Sequence, residues 1–160
     1  MKIKIITTGG TIDKIYFDAK SEYQVGDPQI AEVLREANVT VAYEIVPLLR
    51  KDSLDLTDAD RRLILETING DPAERFVVTH GTDTMVQTAR VLQKKTHKVI
   101  VLTGAMQPAK FRMTDAIFNI ASAFTAAQIL PAGVYIAMNG RIFDPATARK
   151  NVARNRFEPA

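Results

Sequence analysis

The chain of 160 residues contains no cysteine. That absence excludes a disulfide framework, thiolate metal sites, iron–sulfur clusters and a cysteine nucleophile. Histidine is scarce too, and His80 and His97 are too few for most histidine-rich metal sites. No apolar run approaches the roughly 20 residues needed to cross a bilayer. The opening stretch MKIKIITTGG has a basic flank, but its apolar part is too short for a signal peptide. A cytoplasmic location with no membrane partner is therefore expected. What is present, 46% hydrophobic and 24% charged residues, fits one globular domain that can bury a core. Disorder and low-complexity scaffolds do not have that profile.

Charge is unevenly placed. Residues 1–75 hold 10 basic and 14 acidic side chains, whereas residues 76–160 hold 11 and 4. A basic half suits nucleic acid, an acidic small substrate or an ordinary solvated face. Few aromatics lie among these basic residues as stacking platforms, so nucleic acid is the least favoured of the three.

Along the chain, Lys2–Thr8 reads as a strand running into Gly9-Gly10-Thr11. Residues 12–26 carry no usable periodicity and read as a long loop. Asp27-Pro28 is a helix start, followed by Ile30, Val33, Leu34 and Ala37 at helical spacing. Val39–Leu49 is a second strand. Thr57 and Asp60 form a capping-box pattern opening a helix that Gly70 closes. A strand at Arg75–Thr79 precedes a helix over Thr82–Lys95, and Lys98–Thr103 is the most strand-like run. Thr114–Gln128 reads as a helix with Ile117, Ile120, Ala121 and Phe124 on one face. Gly133–Met138 is a strand, and Asn139-Gly140 signals a hairpin returning through Arg141–Phe143. The basic stretch Arg149–Arg156 follows. This alternation predicts an α/β domain with a mainly parallel sheet.

Ligands of such sheets bind outside the carboxyl ends of the strands. Three of those ends combine hydroxyls with glycine: Thr7–Thr11, Thr79–Thr84 and Thr103–Met106. Taken singly, Gly9-Gly10 is explained by a tight turn and Thr82 by a helix cap. A phosphate cradle is a further alternative, but no GxxxxGK[ST] run is present and the first turn opens into a loop. A threonine hydroxyl needs an activating base or charge network to act as a nucleophile. Lys150 and Asp83 are available for that if the fold brings them together. His80, between Thr79 and Gly81, is expected to satisfy backbone groups, and His97 to lie on the surface.

TTGGTI at 7–12 and THGTDT at 79–84 resemble the two signatures of the bacterial-type L-asparaginase family. The resemblance continues through SEYQVG (21–26), VLTGAMQP (101–108), TDAIFN (114–119) and the DPATARK stretch ending at Lys150. It covers residues 1–160 as that family's amino-terminal catalytic domain, with the small carboxy-terminal domain absent. It implies a three-layer Rossmann-like fold and hydrolysis of a small amino-acid amide by a homo-oligomer. No metal or organic cofactor is implied. Position by position, Thr11 matches the family's nucleophile and Tyr23 the tyrosine that hydrogen-bonds to it. Thr82, Asp83 and Lys150 match a second catalytic group, and Gly81 and Ala105 match backbone contacts to substrate. The family's Ser-Gln pair for the substrate carboxylate falls at Arg50-Lys51. Those two cations either form a carboxylate clamp or occupy a solvated turn. L-asparagine is the expected substrate and L-glutamine its nearest competitor. An amidase needing a partner chain and a non-catalytic amino-acid-binding module are the alternatives.

Overall fold

A computed structural model describes residues 1–17, 22–94 and 96–160. Its centre is a six-stranded sheet. The strands, with their neighbours in order, are β4 (Ala42–Lys51), β1 (Lys2–Gly9), β5 (Arg75–Thr79), β6 (Val99–Thr103), β7 (Gly133–Met138) and β8 (Arg141–Phe143). The first five are mutually parallel, and β8 closes the edge antiparallel to β7.

Alternation along each strand builds two cores. Ile6, Phe76, Val78, Ile100 and Leu102 face one way, onto α2 (Asp58–Gly70) and α3 (Met85–Gln93). Ile3, Ile5, Val77, Val99 and Val101 face the other way, onto α1 (Ile30–Glu36) and α4 (Ala116–Ile129). Side chains of period two on strands and helices on both faces make the expected three layers. Register aligns Thr7 with Thr79 and Thr79 with Thr103 across three neighbouring strands. The capping box forms as the sequence predicts, with Thr57 Oγ1 accepting from Asp60 N–H and Asp60 accepting from Thr57 N–H at 2.8 Å. The two-residue hairpin does too, with Asn139 and Gly140 both at positive φ (53° and 73°).

Several elements differ from the sequence reading, each for an identifiable physical reason. Residues 12–26 are not all loop. A short turn over Thr11–Asp13 leads into an antiparallel ribbon of β2 (Lys14–Phe17) and β3 (Glu22–Val25). Tyr16, Phe17 and Tyr23 of this ribbon are exposed, so no buried face imposes periodicity. Its connection, 18–21, lies outside the described residues.

Helix α1 begins at Ile30, not at Asp27-Pro28, because the Asp27 carboxylate is paired with Arg50 instead of capping. Helix α3 begins at Met85, because Thr82 and Asp83 turn towards Lys150. Lys95, the expected end of that helix, lies outside the described residues.

The buried stripe of α4 runs through Ala116, Asn119, Ile120, Ala123, Phe124 and Ala127, leaving Ile117 and Ala121 outside. Asn119 rotates the stripe. Its side chain donates to the Gly104 carbonyl (3.0 Å) and to Asp115 (2.9 Å) and accepts from Asn139 N–H, so it is satisfied in the interior.

The basic stretch near the end forms a hairpin of β9 (Ala148–Asn151) and β10 (Arg156–Pro159). Ala148 and Phe157 join the α2/α3-side core, and Phe157 N–H donates to Asn139 Oδ1 at 2.8 Å. Among the described residues, no helix is long and apolar enough to cross a membrane.

Candidate active site

Strand β1 has β4 on one side and β5 on the other, and the chain leaves it in one direction first and the other later. That is the topological switch point at which open α/β sheets leave a crevice. The two glycine–threonine segments meet there. Gly10 has φ +89°, and a Cβ on it would lie 2.5 Å from Gly81 Cα. A Cβ on Gly81 would in turn lie 2.6 Å from Ser53 Cβ. Only glycine permits this approach of three backbone segments.

Thr11 opens the turn after Gly10 and is half-buried. Its hydroxyl makes no hydrogen bond to another described residue. Thr82 is 5% exposed, and Lys150 Nζ donates to its Oγ1 at 2.8 Å. The same ammonium donates to Asp83 Oδ1 at 2.6 Å. The fold therefore assembles the Thr82–Asp83–Lys150 group from β5's carboxyl end and the β9–β10 hairpin. Because Thr82 Oγ1 accepts from Lys150, its own proton is directed elsewhere, leaving Thr82 a donor to any bound molecule.

His80 is fully buried and held neutral, its pKa pushed down to about 4 by desolvation. Nδ1 lies 2.7 Å from the Gly81 carbonyl, which can only accept, so Nδ1 carries the proton. Nε2 then accepts from the Thr88 hydroxyl at 2.8 Å, and Thr88 accepts from Arg61 Nε at 3.2 Å. This line of bonds fixes the Gly81 peptide from behind, as expected for a histidine satisfying its backbone surroundings. His97 is exposed. Ala105 is buried at the end of β6, and Asp115 collects the following N–H groups of Met106 and Gln107 at 3.0 Å.

A family model described as Asparaginase, N-terminal, matches residues 2–158. The chain belongs to the asparaginase family. It is 36% identical over 160 residues to L-asparaginase 2 of Escherichia coli (strain K12), covering 89% of this chain and 44% of that protein. It is 30% identical over 168 residues to the glutaminase-asparaginase of Acinetobacter glutaminasificans, covering 94% and 50%. The structure of the thermostable L-asparaginase from Thermococcus kodakarensis superposes with a TM-score of 0.87 at 26% identity, covering 99% of this chain and 51% of that one. The chain spans about half the length of the family members it matches.

The remaining candidate positions from the sequence are dispersed. Tyr23 lies on β3, half exposed, its ring 5.4 Å from that of Tyr16 and 5.8 Å from that of Phe111. No hydrogen bond joins it to Thr11. Arg50 forms an exposed ion pair with Asp27. Lys51 Nζ lies 2.9 Å and 3.0 Å from the two oxygens of Asp60, whose carboxyl is drawn down to about 2 by Thr57 N–H and then by Lys51. Both cations are thus matched by carboxylates of this chain. What Lys51 does supply at the site is its carbonyl, which accepts from Gly10 N–H at 2.9 Å.

Two residues at the site were not singled out from the sequence. Ser53 is 1% exposed, and its Oγ has no partner among the described residues although it lies against Gly81. A buried hydroxyl left unpaired is uncommon. The signal was its place just beyond the carboxyl end of β4, hidden because the strand continues two residues past the expected Leu49. Asp13 is 2% exposed in the Thr11 turn, and the signal was a carboxylate directly after a buried isoleucine.

Proposed function

We propose that this chain is an amidohydrolase that releases ammonia from the side-chain amide of L-asparagine, with L-glutamine its nearest competitor. The observation that carries the reading is the pairing of Lys150 Nζ with both Thr82 Oγ1 (2.8 Å) and Asp83 Oδ1 (2.6 Å), beside the Gly10–Gly81 contact. Thr11 attacks the carboxamide carbon, and its hydroxyl proton passes to the departing nitrogen. Ammonia leaves, and water then cleaves the acyl ester to return Thr11 and the acid. Thr82, polarised by Lys150, donates towards the reacting centre, and Asp83 orients Lys150. Backbone groups at Gly81 and Ala105 and the unpaired Ser53 hydroxyl face the substrate. Tyr23 reaches Thr11 by movement of the ribbon. Arg50 and Lys51 bind a substrate carboxylate only by exchanging it for Asp27 or Asp60.

Ammonia release by the isolated chain tests the reading, with asparagine, glutamine and simple amides as substrates. Thr11→Val should abolish release while leaving the fold intact. Mass analysis after quenching should find an acyl adduct on the peptide holding Thr11. Thr82 is the rival nucleophile, favoured by its direct hydrogen bond to Lys150, and an adduct there would reverse the assignment. Binding without turnover would favour the amino-acid-binding module, and turnover only with an added protein would favour the two-chain amidase.

We further place the chain in a homo-oligomer. Helix α4 carries no charged residue, and its outer side exposes Ile117, Phe118 and Ile129. An exposed apolar patch of this kind favours a covered position.

A further inference from the structure

The turn that presents Thr11 is tied to the rest of the domain at four points. Gly10 N–H donates to the Lys51 carbonyl (2.9 Å), Ala109 N–H to the Ile12 carbonyl (3.1 Å) and Gly26 N–H to the Asp13 carbonyl (2.7 Å). These three ties use main chain alone. The fourth uses a side chain, with Asp13 Oδ1 accepting from Gln29 N–H at 2.8 Å. Gln29 Nε2 donates on to the Asp27 carbonyl at 2.7 Å, and Arg50 pairs with the Asp27 carboxylate. A line of contacts therefore runs Asp13–Gln29–Asp27–Arg50, from the Thr11 turn to the end of β4. Asn at position 13 would accept the same hydrogen bond without burying an ionisable group, so the acid itself needs a reason.

We propose that Asp13 is a positioning residue for Thr11: its ionised carboxylate draws in Gln29 N–H and fixes the turn, and its protonated form loosens it. The role rests on the reading of Thr11 as nucleophile. Two charged groups face Asp13. Arg50 of β4 favours the ionised form, and Asp27, before α1, opposes it. Lys14, the next residue, is turned to Asp52 at 2.9 Å. Burial outweighs these influences and pushes the Asp13 carboxyl up to about 7, so both forms are populated near neutral pH. A charge-assisted hydrogen bond is stronger than a neutral one, which makes the ionised form the ordered one.

The test compares the parent chain with Asp13→Asn and Asp13→Ala. Ammonia release from asparagine is followed from about pH 5.5 to 9, on either side of the neutral range where a histidine or a raised carboxyl titrates. Parent kcat should rise through a midpoint near 7, and Asp13→Asn should lose that rise and stay near the parent's low-pH level, because its neutral amide makes only the weaker hydrogen bond. Asp13→Ala should lower kcat about tenfold or more, the effect of removing a hydrogen bond to a charged group, with KM little changed. A midpoint that persists in Asp13→Asn, or an Asp13→Ala variant equal to the parent, overturns the proposal. The backbone amide resonance of Gln29 gives a second readout that needs no substrate. It should titrate near pH 7 in the parent and not in Asp13→Asn. A silent Gln29 amide in a chain that turns over asparagine overturns the Asp13 role and leaves the amidohydrolase reading standing. A titrating amide in a chain that hydrolyses no amide overturns the amidohydrolase reading, and with it the role of Asp13 in turnover.

Discussion

Replacing Asp13 by Asn should change how the stability of the whole domain responds to acid. Burial raises the Asp13 carboxyl from 3.8 to about 7, so between those values the folded chain holds a proton that the unfolded chain has lost. Stability therefore falls as pH rises through that window, by about 4 kcal/mol at roughly 1.4 kcal/mol per decade of proton affinity. His80 works in the opposite sense. Its pKa is lowered from 6.5 to about 4, so the unfolded chain takes up a proton first as pH falls. Stability is lost between pH 6.5 and 4, by about 3 kcal/mol in all.

The two windows overlap, and in the parent their slopes largely cancel. In Asp13→Asn the Asp13 slope is gone and the His80 slope is unopposed by it. Urea unfolding at intervals from pH 4 to 8 should show the variant losing about 3 kcal/mol more than the parent on going from pH 6.5 to 4. At pH 8 the variant should be the more stable by up to about 4 kcal/mol, and at pH 4 the two should converge. Glu44, Asp52, Asp60, Asp71, Asp144 and Glu158 have lowered carboxyls that the substitution leaves in place, so their acid losses drop out of the difference. A difference that stays constant across the range would refute the reasoning. The more stable variant is also the one expected to lose its pH-dependent control of Thr11, a trade of stability for function.

Lys150→Met and Thr82→Val should each cost most of the activity, and the double variant little more, because residues acting as a unit show non-additive losses; multiplicative losses in kcat would separate them. Arg50→Ser discriminates two roles for that cation. If it holds Asp27, kcat falls alike for asparagine and for an amide lacking the carboxylate. If it binds substrate by partner exchange, KM for asparagine alone rises by about one to two decades. Phe118→Asp should shift the chain to a smaller species by light scattering without lowering its melting temperature, and an unchanged mass would remove the α4 face from self-association.

Elements with one simple physical cause were legible in the sequence. The buried strands announced themselves as apolar runs, the capping box by Thr57 and Asp60, and the tight hairpin by Asn139-Gly140. The Thr82–Asp83–Lys150 group was legible as a list of residues but not as a geometry. Its assembly depends on β9–β10 folding back onto Asn139 and Phe143, which no local pattern encodes. The start of α3 was misplaced for the same reason, because Thr82 and Asp83 have long-range partners that outrank helix capping. The ribbon was missed because neither of its faces is buried. The stripe of α4 was misjudged because a polar residue, Asn119, holds the innermost position through hydrogen bonds. Arg50 and Lys51 stood out as charges, but their partners, Asp27 and Asp60, lie 23 and 9 positions away and could not be assigned from order along the chain.

The supply of Lys150 from the β9–β10 hairpin has a consequence for biosynthesis. Its partners Thr82 and Asp83 precede it by 68 and 67 positions. Chains fold from the amino terminus as they are made. The parallel strands and their helices can therefore compact while the hairpin is still being translated. Thr11, Gly81 and Thr82 would stand in place without their ammonium, and the nascent domain would be shaped but inert. On the proposed mechanism, competence arrives with residues 148–159, in one docking event. A ribosome stalled ahead of them, or a protease that trims them, should leave a folded product that hydrolyses nothing and still occupies whatever surface the finished protein binds.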